Sequence, residues 1–421
     1  MARRQERFQL TQRQYKINFA AFVWHATLLA FSKSFFDTDT IFPALIIKAG
    51  GGAFLIGLLT TIMVGSAKFM QLFFAPYISA QHHKRTHLLI AINLRAFSIL
   101  GLGFVILFFP HLNRVLFFVL LFTLVTIFSW SGSYGGVAYA DVLGKSIDKR
   151  HRLSLFSLKQ TAQAIGFIAS AFIVRYVIRS FEFPKNYAYS FFIASAILLV
   201  ASFGYWVIKE KIVEPRRRKS IIEFIKLIPT QVRRDKNLKY FLLTVNLLGI
   251  YFAFSPFMVS FVKKYYHITG RLVGNVLLLK MFGVVAASLI AYFLKRKIRY
   301  KHLLFAGIAL TVIIPILSLV FVRNLAVYKS LFFLSGMTFS SIRIANESIL
   351  IEISNDHNRA EYAGIVGAGN LSGIIFPFLI GTLLSSFGYT VGFVFVAVVA
   401  LMSLAFASRL DCRRPTQRPD F

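Results

Sequence analysis

Apolar residues dominate this chain in long blocks, separated by short segments that are mostly basic. Twelve blocks can be laid out: 17–47, 54–79, 87–109, 115–140, 153–178, 187–208, 240–262, 273–294, 302–322, 325–351, 362–384 and 389–408. About 20 apolar residues in a helix span the hydrocarbon of a bilayer, and these blocks meet or exceed that length. The ten-residue alternation of a transmembrane barrel is absent from the sequence. The pattern therefore predicts an all-α membrane protein with twelve transmembrane helices. The first block is unusual, because it contains Lys33, Asp37 and Asp39. It stops near Phe36 if that cluster lies outside the membrane, and runs to Ile47 if the cluster lies within. Its length and the Ala49-Gly-Gly-Gly52 turn that follows favour one long helix with Lys33 and Asp37 inside.

Composition agrees with the pattern. Of 421 residues, 57% are hydrophobic, 47 are Phe and only 15% are charged. A soluble domain carries about 25% charged residues. The net charge of +32 would suggest nucleic acid if it belonged to a soluble basic domain, but no such domain is present. Instead Lys and Arg concentrate in alternate loops, the distribution that orients membrane proteins. It predicts an even number of spans with both termini in the cytoplasm, in an inner (plasma) membrane. The single cysteine, Cys412, excludes an intramolecular disulfide. No phosphate-binding Gly-Lys-Ser/Thr loop, His-Glu-x-x-His or cysteine cluster points to an enzyme, a cofactor or a metal. His82 and His83 belong to a basic loop and read as solvated.

Five regions follow: a cytoplasmic tail over 1–16, a six-helix bundle over 17–208, a basic linker over 209–239, a second six-helix bundle over 240–408 and a tail over 409–421. The linker holds eleven basic and four acidic residues around an amphipathic middle, SIIEFIKLI, and is expected at the membrane interface. The two bundles read as weak repeats. Lys84-Arg-Thr-His-Leu-Leu after the second span matches Arg299-Tyr-Lys-His-Leu-Leu after the eighth. Arg152 and Gly166 around the fifth match Arg359 and Gly373 around the eleventh. Both separations are close to half the chain. Pseudo-symmetric halves of this kind build transporters with a midplane site.

At this point the chain resembles the major facilitator superfamily over essentially its whole length. The first-segment pattern FFDTDTIFPALIIKAGGGAFLIGLL, followed by QLFFAPYISAQHHKR, resembles a bacterial branch with a polar cluster and proline in helix one. The superfamily's loop signature after helix two is reduced to its basic end, with Ala80 and His83 at its acidic and glycine positions. The fifth span also lacks the Gly-Pro signature of drug–proton antiporters. The resemblance implies alternating access, with helices one, four, seven and ten lining a central cavity and two, five, eight and eleven forming the seam. Small residues four apart suit close packing there: Gly132 and Gly136, then Ala162, Gly166 and Ser170, then Gly369 and Gly373.

Intramembrane ionisable residues are the default functional candidates. Lys33 and Asp37, four apart, share one helix face and either form an internal bridge or meet solute and proton. Asp37 is the leading proton-coupling candidate and Asp39 the second, although Asp39 alone also suits a cap before Pro43. Arg343 and Glu347 repeat the four-residue spacing in span ten, with Arg343 suited to carboxylate or phosphate and Glu347 to a gate. Lys68 and Lys280 lie mid-span, able to bind solute or to pair with Asp37 or Asp39. Arg95 and Lys159 read as snorkelling toward the cytoplasmic ends. Tyr134, Tyr251 and Asn246 are candidate hydrogen-bonding residues of the cavity, and Arg152 and Arg359 candidate gate residues. The excess of basic over acidic groups within spans favours an anionic solute. The expected function is a monomeric secondary transporter of a small organic anion, moved with protons as a symporter. An exporter of amphipathic or cationic compounds and a non-transporting receptor or scaffold on the same frame are the alternatives.

Overall fold

The computed structural model describes residues 11–79, 81–147, 149–210, 221–294, 299–354 and 359–412. Among them the secondary structure is helical throughout. In chain order the helices are α1 (Gln12–Lys33), α2 (Ile41–Lys48), α3 (Ala53–Thr60), α4 (Ala67–Ser79), α5 (Lys84–Leu107), α6 (Arg114–Ser146), α7 (Lys149–Ser180) and α8 (Lys185–Trp206). They continue as α9 (Ile221–Arg234), α10 (Lys236–Leu248), α11 (Ile250–Phe254), α12 (Phe257–Lys263), α13 (Gly270–Leu294) and α14 (Tyr300–Phe321). The last three are α15 (Leu325–Ile353), α16 (Arg359–Gly369) and α17 (Ser372–Ala407). Eleven described stretches are long and apolar enough to cross a membrane. Twelve are recovered when α17 is divided at Gly388, whose φ of 81° is a non-helical turn that L side chains resist.

Polar residues at the loops decide where helices start. Thr11, Asn113 and Asn324 each accept a backbone N–H of the first turn of α1, α6 and α15, and Asp235 accepts two in α10. At the two loops read as repeats, α5 starts at Lys84 itself and α14 at Tyr300, one residue after Arg299.

Several spans are discontinuous, and here the structure corrects the sequence reading. The first span is not one long helix. α1 ends at Lys33, a short 3-10 turn covers Ser34–Phe36, and Asp37 has extended backbone with ψ of 128° before α2 begins. The spacing of Lys33 and Asp37 therefore no longer puts them on one helix face. The second span changes pitch through a π-helical stretch, Thr61–Ser66. The seventh breaks at Ser255-Pro256, where proline supplies no N–H. The eleventh breaks at Asn370-Leu371, between α16 and α17, so Gly369 and Gly373 do not share a helix face.

The chain forms two compact units. The first comprises the residues up to Asp37 together with Phe69–Ile221, and the second comprises Thr38–Lys68 together with the residues from Ile222 onward. The units thus depart from the sequence halves in one segment, because Thr38–Lys68 of spans one and two packs with the C-terminal helices. In the first unit α1 packs on α7 and α8, and α5 on α6 and α8. Gly166 lets α7 approach the Thr27 carbonyl of α1, and the Ser170 hydroxyl donates to Ser34 at 2.7 Å. The core of this unit gathers Phe22, Leu88, Ile92, Val142 and Tyr205.

In the second unit α13 and α14 pack on α15, and α3 packs on α17. Gly336 of α15 faces the Lys280 carbonyl of α13 so closely that a Cβ there would collide with it. Gly65 faces Gly373 in the same way. Ile228 and Val232 of the linker helix α9 pack against Leu238, Tyr362 and Ile365. At those positions the apolar face that was expected to lie on lipid is docked on protein instead.

Candidate functional site

In the second unit the breaks in spans one and seven lie on either side of a buried ion pair. Asp39, in the turn before α2, is 9% exposed and Lys280 of α13 is 4% exposed. Their Oδ2 and Nζ atoms stand 2.8 Å apart. Ser255, at the proline break, donates to the same Asp39 oxygen at 3.0 Å. Behind it Ser255 Oγ lies 3.2 Å from Ser335 Oγ, and Tyr251 donates its hydroxyl to the Ser335 carbonyl. A buried charge of either sign needs such a shell, because an unpaired one is far costlier than the pair. The helix breaks provide it. Asp39 sits on backbone free of a helical side-chain direction, and Ser255 is turned toward it where Pro256 interrupts the ladder.

Beside this network lies a cavity of about 420 Å³, lined by Arg343, Asn346 and Glu347 of α15, Gly367 and Asn370 at the break of span eleven, and apolar residues that include Val64, Phe252, Val366 and Pro377. Volumes of this order hold small-molecule ligands. The Arg343 and Glu347 side chains are 56% and 68% exposed and 3.1 Å apart. A pair that exposed is worth only about 0.2–0.5 kcal/mol, so it does not withhold the guanidinium from another carboxylate. Asn346 Oδ1 is shielded from solvent and has no hydrogen-bond partner. Asn246 fastens the break itself. Its amide donates to the Leu242 and Gly369 carbonyls at 2.9 Å and its oxygen accepts the Leu371 N–H at 2.9 Å.

The structure thus brings together some of the sequence candidates and separates others. Arg343 and Glu347 face the cavity. Lys280 and Asp39 form a closed pair and are not among the lining residues. Tyr251 is fully buried with its hydroxyl held by Ser335, and Asn246 is committed to backbone groups. Tyr134 belongs to the first unit, where its hydroxyl meets His87 Nδ1 at 2.6 Å within a cluster that includes Phe74 and Tyr77. Lys33 is exposed and Asp37 half-buried in the same unit. Arg152 and Arg359 take their places in α7 and at the start of α16, and their side chains, like that of Lys68, lie outside the described residues.

Two groups were missed by sequence reasoning. Asn346 carried a signal, since it lies one residue from Glu347 in a span rich in hydroxyls. Arg95 was read as snorkelling, but its Nε is shielded from solvent and lies midway along α5.

Comparison with known proteins places this architecture. No curated protein sequence matches the chain. Solved structures with similar folds include the nucleoside transporter NupG, with a TM-score of 0.66 and 15% identity over 92% of this chain and 98% of that one. A POT family transporter in complex with 5-aminolevulinic acid gives 0.68 and 13% over 93% and 96%. A bacterial homolog of the human lysosomal transporter Spinster, in an inward-facing and unoccupied conformation, gives 0.66 and 11% over 96% and 100%. Residues 240–421 match the sequence profile of the Major Facilitator Superfamily. The chain is a multi-pass membrane protein with the fold of major facilitator transporters, and the match of residues 240–421 to the superfamily profile agrees with that fold.

Proposed function

We propose that the protein is a secondary transporter, rather than an enzyme, that moves a small organic anion with an apolar body across an inner membrane by alternating access. The observation that carries this reading is the cavity of the second unit, lined by Arg343 and Asn346 among apolar walls beside a broken helix. Discontinuous helices and weakly engaged polar groups are the usual furniture of transporter sites. Arg343 offers a planar fork of donors to a carboxylate, and exchanging Glu347 for that carboxylate sacrifices little. Lys280 does not contribute positive charge to the cavity while it is paired with Asp39, so the anion preference of this site rests on Arg343.

Coupling to protons, with Asp39 as the carrier, follows from the same geometry. Protonating Asp39 removes the partner of Lys280 and loosens the contact of α2 with α13. In this reading Asp37 is the second proton-coupling candidate, while Glu347, Arg152 and Arg359 are gate residues.

The test is a thermal-stability screen of the purified full-length protein against monocarboxylates and their neutral amides, repeated on Arg343→Ala. Carboxylates should raise the melting temperature and amides should not, and Arg343→Ala should weaken binding roughly 10–100-fold, the worth of hydrogen bonds to a charged group. Stabilisation by amphipathic cations with none by carboxylates would overturn the anion reading in favour of an exporter of such compounds. In proteoliposomes, uptake driven by a pH gradient should be lost in Asp39→Asn while solute counterflow persists. Uptake that ignores the gradient in the wild type would remove proton coupling.

A further inference from the structure

The first unit holds half-buried basic groups inside its bundle that nothing above uses. Arg95 of α5 reaches past Gly132 of α6, where a Cβ would come to 3.4 Å from its guanidinium carbon. The guanidinium lies over the Phe128 ring, 4.4 Å from its centroid. Its Nε is shielded from solvent and has no hydrogen-bond partner, and among the described residues no ion pair to Arg95 is formed. The ring face offsets part of the charge, but it satisfies no N–H.

Tyr205 of α8 stands in the same interior. It is 1% exposed and its hydroxyl also has no partner. The Arg95 guanidinium lies within electrostatic range of the Tyr205 hydroxyl. His25, stacked on Tyr205 at 4.2 Å, gives its Nδ1 to the Ala201 carbonyl at 3.2 Å. Around it the field is positive, because Arg95, Lys159 and Lys33 all bear on its ring. Lys159 enters from α7 with its ammonium 2.9 Å from the Tyr139 hydroxyl. Buried donors are satisfied in native proteins, and two unmet donors, one of them cationic, call for an acceptor that carries negative charge.

We propose that the interior of the first unit binds a small oxyanion between the Arg95 guanidinium and the Tyr205 hydroxyl, with the Lys159 ammonium adding to the field that holds it. The shared chemistry is that of carboxylate and phosphate oxygens, which accept from a guanidinium edge and a phenol together. This site is separate from the Arg343 cavity and does not depend on transport.

The experiment measures binding of benzoate, inorganic phosphate and chloride to the purified full-length protein by calorimetry and by shift in melting temperature, with benzamide as the neutral control. Benzoate or phosphate should bind and stabilise, and benzamide should not. Arg95→Met, which keeps the length and apolar stem, should weaken that binding tenfold or more, the share of a charge-assisted hydrogen bond. Tyr205→Phe, which removes an unmet hydroxyl and should not disturb folding, should weaken it roughly fivefold. All of these measurements are made in an Arg343→Ala background, so that carboxylate binding in the second unit's cavity does not enter and failure of this site is separable from failure of the transport reading. If none of the three anions binds, or if Arg95→Met and Tyr205→Phe both bind them as Arg343→Ala alone does, the interior holds only water and the proposal falls.

Discussion

Each unit holds a cation within its bundle, Lys280 buried and Arg95 half-buried, and the two are treated in opposite ways. Lys280 has a carboxylate at 2.8 Å, a serine on that carboxylate and a second serine and tyrosine behind it. Arg95 has an aromatic face and an unmet N–H. The difference is one of completeness. A cation whose counter-charge is built into the chain makes a closed contact, and its site contributes to holding helices together. A cation whose shell lacks an acceptor leaves that acceptor to be supplied from outside. Depth in the membrane alone does not tell these apart.

The largest expected effects test the closed pair. Lys280→Met leaves Asp39 buried without its counter-charge, and Asp39→Asn does the same to Lys280; each should destabilise the protein by about 3–5 kcal/mol. The double variant should recover most of that loss, read from unfolding of the purified protein in detergent. Arg95→Met, which strips only an aromatic contact when no anion is present, should cost no more than about 2 kcal/mol. Equal losses for Lys280→Met and Arg95→Met would break the comparison.

Packing should follow the same division. Gly336→Ala pushes a Cβ into the backbone that carries Lys280 and should cost about 1–3 kcal/mol. At Gly132 the added Cβ meets the guanidinium at ordinary contact distance, so Gly132→Ala should shift stability by less than ~1 kcal/mol, since surroundings that can give way pay little for added volume. Ser255→Ala takes one hydrogen bond from Asp39 and should cost about 1.5–3 kcal/mol, the range for bonds to a charged group. The smallest effect belongs to the exposed pair. Glu347→Gln should change stability by less than about 0.5 kcal/mol and yet sharpen carboxylate binding at Arg343 in the ligand screen.

The spans were legible because lipid demands long apolar runs, which the sequence writes plainly between its basic loops. The loops that begin α5 and α14 were legible for a related reason, since the basic residues Lys84 and Arg299 mark them. What escaped was local. Lys33 and Asp37 were placed on one face by assuming a continuous helix, and nothing in SKSFFDTDT announces that α1 stops before a 3-10 turn. Pro43 lies two residues inside α2, where its missing N–H is tolerated, and so marks the start of a helix rather than a kink. That Asp39 pairs with Lys280 was among the open alternatives. A choice between Asp37 and Asp39 needed the break, which is invisible to periodicity. Arg95 was misjudged for another reason: snorkelling was inferred from distance to a loop, and Gly132 and Phe128, which shape its surroundings, lie on a different helix.

The assignment of Thr38–Lys68 to the second unit has a consequence for how the chain acquires its shape. This segment is made early, yet its close-packing partner Gly373 lies about three hundred residues further on. Contacts of such separation form late and slowly. During synthesis this segment must therefore wait, uncommitted, until α13 and α17 have emerged. The lone Asp39 carboxylate spends that interval without Lys280. Truncation after the first six spans would leave it so permanently, and the N-terminal half expressed alone should be recovered in poor yield unless the C-terminal half is supplied with it.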